Sequence, residues 1–208
     1  PRVSVTDQSI TEGSSGETLV SFTFTLSYAQ ADPVEIEYYT LDGTATSASG
    51  DYAAVTNTVL TFNPGETSKT VSLVVYGDTM YEAHEQFELK VVRAQRIGSG
   101  PPVNLTVSDS QILATIINDD GIPAISVADF RQAGVDDDNN PNTPNVFDEN
   151  KPATFTVTLS NPSQYTITVQ WRTDVALTFQ GANTEHAATP SGFPGADFVM
   201  DNDTITFL

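Results

Sequence analysis

Cysteine is absent from all 208 residues. Disulfides, thiolate metal sites and cysteine nucleophiles are therefore excluded. Only two histidines are present, His84 and His186, too few for a poly-histidine zinc site. Positive charge is scarce: 8 Lys and Arg stand against 27 Asp and Glu, a net charge of −19. Phosphate backbones and anionic lipid surfaces attract basic proteins, so no nucleic-acid partner and no direct membrane insertion are expected. No apolar run approaches the ~20 residues of a membrane-spanning helix. Apolar residues do not recur at helical spacing over several turns, so amphipathic helices are not expected. No Gly-x-Ser-x-Gly elbow, phosphate-cradling glycine loop or His-Glu-x-x-His occurs, and no enzymatic activity is expected.

What is present is alternation. Val20-Ser21-Phe22-Thr23-Phe24-Thr25-Leu26 alternates apolar and hydroxyl residues, as do Thr70-Val71-Ser72-Leu73-Val74 and Phe155-Thr156-Val157-Thr158-Leu159. Period two with Thr and Val marks half-buried β-strands. Asp32-Pro33, Asp42-Gly43, Asn63-Pro64-Gly65, Gly98-Ser99-Gly100-Pro101-Pro102 and Asn161-Pro162 separate the runs as turns. The pattern predicts an all-β chain of short antiparallel strands packed as a sandwich. Seven strands are predicted in the first part, at 2–6, 18–27, 33–41, 57–62, 68–76, 85–93 and 111–117, with a hairpin turn at 63–66.

The chain then starts again. Val3-Ser4-Val5 recurs as Ile125-Ser126-Val127, and Phe22 through Ser27 recur as Phe155 through Ser160. Gly50-Asp51-Tyr52 recurs as Ala196-Asp197-Phe198, and Leu60-Thr61-Phe62 as Ile205-Thr206-Phe207. Such an internal repeat predicts two domains, 1–121 and 122–208. The second copy carries acidic insertions near 130–148 and 175–196. It reaches only the equivalent of the fourth strand, so the second sandwich is expected to be incomplete and the chain part of a longer protein. Tyr165 and Trp171 read as core and strand residues rather than a sugar-binding platform.

The acids then fall into place by parity. In a simple antiparallel sandwich, the loops after the first, third and fifth strands share one end with the exit of the seventh. That end collects Glu12, Asp51, Asp78, Glu82, Glu85, Asp119 and Asp120, with no local Lys or Arg. Seven carboxylates so placed repel one another, and a multivalent cation removes the repulsion. Oxygen-only ligands suit Ca²⁺, which accepts about 6–8 oxygens in flexible geometry, better than Mg²⁺. In the second copy, Glu149 and Asp197 are the counterparts of Glu12 and Asp51. Asp138, Asn140, Asn142 and Glu149 also stand at positions 1, 3, 5 and 12 of an EF-hand-like run. Thr143 occupies the sixth position, where that loop requires Gly, and two prolines intrude. A plain acidic insertion is the competing reading.

The first copy resembles the Calx-β domain, an immunoglobulin-like module of sodium–calcium exchangers, integrin β4 and bacterial surface proteins. The resemblance rests on Thr11-Glu12-Gly13, Tyr39 through Ala45, Gly50-Asp51-Tyr52, Leu60 through Thr67, Asp78, Glu82, Glu85-Gln86-Phe87 and Ala114 through Asp120. It implies tandem immunoglobulin-like sandwiches and Ca²⁺ held by the seven carboxylates, with the carbonyl of Met80 as a backbone ligand. It also implies fewer or weaker ions, because Gly77, His84 and Asn118 replace acids of the strongly binding exchanger domain. Extracellular modules bind Ca²⁺ at about 10⁻⁴–10⁻³ M. The expected function is a calcium-binding structural or adhesive module of a secreted or cell-surface protein, with Ca²⁺ stiffening the junction between copies. Neighbouring repeats, identical subunits or a cell-surface or matrix ligand are the expected partners. A calcium-independent spacer or filament subunit, and a regulatory calcium sensor of a membrane protein, are the alternatives.

Overall fold

The computed structural model describes residues 1–128, 155–172 and 202–208. The chain divides into two compact units, Pro1–Ile122 and Pro123–Leu208. Every regular element among the described residues is a β-strand. The first unit holds β1 (Arg2–Ser4), β2 (Gln8–Thr11), β3 (Gly16–Leu26), β4 (Val34–Asp42) and β5 (Thr58–Phe62). It continues with β6 (Ser68–Gly77), β7 (Glu85–Arg96), β8 (Val103–Asn104), β9 (Thr106–Val107) and β10 (Gln111–Ile117). One sheet has the order β6-β3-β1-β9; the other runs β2-β10-β7-β4-β5, with β8 attached to β7.

The alternation read from the sequence becomes the core. Val20, Phe22, Phe24 and Leu26 of β3 meet Val34, Ile36 and Tyr38 of β4, Phe87 and Leu89 of β7, and Ile112, Ala114 and Ile116 of β10 in one buried cluster. The interleaved Ser21 and Thr23 remain outside and bond across to Ser72 and Thr70 of β6, at 3.0 and 2.9 Å. Burial of the apolar face, at about 25 cal/mol per Å², is the main stabilising term.

Three details depart from the sequence reading. The predicted first strand, 2–6, is the shorter β1, and an unpredicted β2 follows it in the other sheet: β1 pairs antiparallel with β3, and β2 pairs parallel with β10. Asp7 anchors the change of sheet, its Oδ1 accepting the Leu113 amide of β10 at 2.9 Å. With the parallel β1–β9 pairing, the sheets are mixed rather than purely antiparallel. The turn at 63–66 is not a hairpin, because β5 and β6 lie in different sheets. Gly65 at φ +88° and the Glu66 amide bonded to the Asn63 carbonyl carry the chain across.

In the second unit β11 (Ile125–Val127) pairs with β12 (Val157–Leu159), and β13 (Ile167–Arg172) with β14 (Asn202–Phe207). These registers repeat those of the first unit. Ile125↔Leu159 and Ser126↔Thr158 match Val3↔Leu26 and Ser4↔Thr25. Ile167↔Phe207 matches Val34↔Phe62. Even the flanking bond recurs: Ser160 Oγ accepts the Ala124 amide as Ser27 Oγ accepts that of Arg2, both at 2.9 Å. Trp171 and Tyr165 do not belong to a core, being 38% and 51% exposed. Trp171 lies at the end of β13, beyond the half-buried Ile167 and Val169, and Tyr165 precedes the strand. The second-copy candidates Asp138, Asn140, Asn142, Glu149 and Asp197 lie outside the described residues.

Candidate metal centre

Strand ends and the loops beyond them deliver the acids of the first unit to one place. Glu12 follows β2, and its amide donates to the Ile117 carbonyl of β10 at 3.2 Å. Its carbonyl accepts the Thr18 hydroxyl at 2.9 Å, which fixes the turn into β3. The side chain is 4% exposed, and its Oε1 is buried with no hydrogen-bond partner.

Asp51 is set by its own loop. Its Oδ2 accepts the Thr46 amide at 2.7 Å and the Ser49 hydroxyl at 2.6 Å. The neighbouring Tyr52 is buried, bridges to Val75 of β6 and stacks on Phe87 with centroids 4.0 Å apart and planes 3° apart. The Tyr52 hydroxyl donates to Asp42 Oδ1 at 2.6 Å. Burial, followed by that bond, pushes the phenol up to about 12. Asp42 also accepts the Ser47 amide at 2.9 Å, and its carboxyl is lowered, first by Tyr52. The Asp42-Gly43-Thr44 segment is thus a structural corner rather than part of the centre.

Glu82 and Glu85 come from the loop into β7 and its first residue, which sits opposite Ile116 of β10. Asp51, Glu82 and Glu85 each offer a carboxylate oxygen, and these three lie within 4.8 Å of one another. Asp78 follows β6 and its Oδ1 accepts the Met80 amide at 2.6 Å. Met80 therefore lies in the same loop, shaping Asp78 through its N–H. At the exit of β10, Asp119 Oδ1 accepts the Gly13 amide at 3.1 Å, and Asp120 Oδ2 is buried without a partner.

Electrostatics tie the seven acids together. Burial, then Glu82, Asp78, Asp120 and Asp119 in turn, push the Glu12 carboxyl up to about 7. Burial, then Glu85, Asp78, Asp51 and Asp120, do the same to Glu82. Four of the five basic side chains of the first unit are engaged elsewhere. Lys69, Lys90, Arg93 and Arg96 pair with Glu66, Glu88, Glu37 and Asp32.

All seven predicted first-unit carboxylates thus occupy one electrostatic neighbourhood. Its close part is the trio Asp51, Glu82 and Glu85; its unpartnered buried oxygens are Glu12 Oε1 and Asp120 Oδ2. The donors are oxygens alone, and two are buried and unsatisfied. That donor set fits a hard, oxygen-seeking cation. Sequence reading did not find the groups that hold the acids in place: Thr46, Ser49, Gly13, His84 and Asn118. Gly13 and His84 reach partners distant in sequence, while Thr46, Ser49 and Asn118 bond acids a few residues away. Of these, only the Thr46–Ser49–Asp51 loop, with hydroxyls close before an Asp, carries a local signal.

A β-sandwich with an all-oxygen acidic cluster at one end defines the class of module. The sequence model of the Calx-beta domain matches residues 2–120, and the chain belongs to that family. Among solved structures, the Calx CBD2 domain is 18% identical, with 55% of this chain and 85% of that one covered at TM-score 0.46. The apo-form Calx CBD1 domain is 20% identical, with 57% and 98% covered at TM-score 0.42. The calcium binding domain CBD12 of CALX1.1 is 15% identical, with 96% and 66% covered at TM-score 0.45. The family match carries the assignment; likenesses at these TM-scores add nothing to it. No relative was found among curated proteins.

Proposed function

We propose that the chain is a calcium-binding structural module of a secreted or cell-surface protein, in which the cation sits where the first unit hands over to the second. The observation that carries this reading is the pair of buried, unpartnered oxygens, Glu12 Oε1 and Asp120 Oδ2, among seven carboxylates. A buried polar atom with no partner costs about 1–3 kcal/mol, more when charged. Such an arrangement is stable only when protons or a cation neutralise it. Asp51, Glu82 and Glu85 would supply the close trio of ligands, and the unpartnered Glu12 Oε1 and Asp120 Oδ2 would complete the coordination. Asp119 and Asp120 lie immediately before the boundary at Ile122, so fixing them fixes the exit of the chain.

The repeated pairing registers support reading the second unit as another copy of the same module, with its own site built around Glu149 and Asp197. Neighbouring modules, identical subunits or a matrix ligand are the partners this reading implies. In an array, neutralised junctions resist bending and charged ones do not. Calorimetric titration of Ca²⁺ into the 208-residue chain tests the reading. Saturable binding is expected in the parent chain, and Glu82→Gln/Glu85→Gln is expected to abolish it at the first-unit site. A parent chain that takes up no Ca²⁺, or binding unchanged in the double variant, contradicts the assignment.

A further inference from the structure

The chain leaves β10 through a clamp of hydrogen bonds. Asn118 is the first residue beyond the β10 ladder, and its amide donates to His84 Nδ1 at 3.1 Å. The imidazole thus continues the ladder by one rung, from the loop that also carries Glu82 and Glu85. The Asn118 side chain then closes on Asp120 at two points. Its Nδ2 donates to the Asp120 carbonyl and its Oδ1 accepts the Asp120 amide, both at 3.3 Å. Gly77 completes the packing. A Cβ there would stand 1.9 Å from the Gly13 carbonyl oxygen, so the bare backbone of β6 lets the Glu12–Gly13 turn approach. Gly13 in turn donates to Asp119.

We infer that His84 and Asn118 are positioning residues, which hold Asp120 against Glu12 and Glu82 without themselves ligating a cation. The inference rests on the cation reading of the acidic end and deepens it. The clasp needs a donor and an acceptor on one side chain, which asparagine has. An aspartate at 118 keeps the acceptor, loses the donor and turns a negative oxygen toward the Asp120 carbonyl. The substitution therefore weakens cation binding, although a simple count of carboxylates predicts the reverse. The acceptor at 84 likewise fixes the Asn118 amide from the neighbouring loop.

The test uses the 208-residue chain and its Asn118→Asp, His84→Ala and His84→Gln variants. Each is titrated with CaCl₂ by calorimetry, and backbone ¹⁵N relaxation of residues 118–121 is measured in EDTA. Asn118→Asp and His84→Ala are expected to weaken Ca²⁺ binding about tenfold or more, the usual effect of losing groups that orient ligands. Both should also lose order at 119–120 in EDTA. His84→Gln, which retains an acceptor, should recover most of the affinity. Affinity in Asn118→Asp equal to or tighter than the parent chain overturns the inference. So does unchanged order in both disrupting variants. If the parent chain takes up no Ca²⁺, the cation reading falls, and the relaxation arm alone decides: lost order upholds the clamp and unchanged order removes it.

Discussion

Glu12 concentrates the chemistry of the acidic end in one side chain. Its carboxyl is raised to about 7, first by burial and then by four neighbouring acids, and Glu82 behaves alike. A raised carboxyl means that the folded chain binds the proton more tightly than the unfolded chain. The resulting stability is full below the unfolded value of 4.5 and is lost as pH rises through about 7. Asp42 and Glu66 are lowered, and their contribution is lost only as pH falls through the acid range below that window. In EDTA the urea midpoint is therefore expected to fall between pH 4.5 and about 7, and Glu12→Gln should flatten the fall. A midpoint that rises over this range contradicts the account. Ca²⁺ competes with those protons, so its affinity should increase over the same interval. Gly77 gives a second residue-scale prediction. Gly77→Ala places a methyl 1.9 Å from the Gly13 carbonyl oxygen and should cost about 3 kcal/mol or more in a urea melt, at or above the usual overpacking range. Gly100→Ala, with nothing within 4 Å of the new carbon, serves as the unaffected control.

Elements carry the acids to their places through pairings that no single segment contains. Tyr52 links the 43–57 loop to β6 by its bridge to Val75, to β7 by stacking on Phe87, and to the end of β4 by its bond to Asp42. Tyr52→Phe keeps the stack and removes the bond, so a loss of about 1 kcal/mol or slightly more is expected by chemical denaturation, since the acceptor is charged. The strands themselves were legible, because β3, β4, β6, β7 and β10 largely alternate, a bulge in β7 at Val92 excepted, and turn residues bound them. So was the gathering of the acids, since parity depends only on strand count and direction. The break between β1 and β2 was not legible. It depends on Asp7 reaching Leu113, more than a hundred residues away. β8 and β9 escaped because they are only two residues each, too short to stand out just after the Gly- and Pro-rich run 98–102. His84, Asn118 and Gly77 stood out in the sequence only as missing acids. The contacts of His84 with Asn118 and of Gly77 with Gly13 join residues that sequence order does not place together, and the Asn118 clasp on Asp120 has no sequence pattern of its own.

For the whole molecule, the two units share a pairing pattern at corresponding residues, down to the serine that accepts an amide before the first strand. The family match covers the first unit, and its acidic end is where the chain departs for the second. With 27 acids against 8 bases, a cation bound at that end would relieve repulsion among its carboxylates. A ligand that binds only the folded state stabilises it by about 3 kcal/mol at a hundredfold excess over Kd. The most direct test of the central claim is the melting temperature of the 208-residue chain in EDTA and in millimolar Ca²⁺, beside Glu12→Gln/Asp120→Asn. The account predicts a rise in Tm with Ca²⁺ in the parent chain and little or none in the double variant. A parent chain whose Tm is the same in both conditions contradicts it.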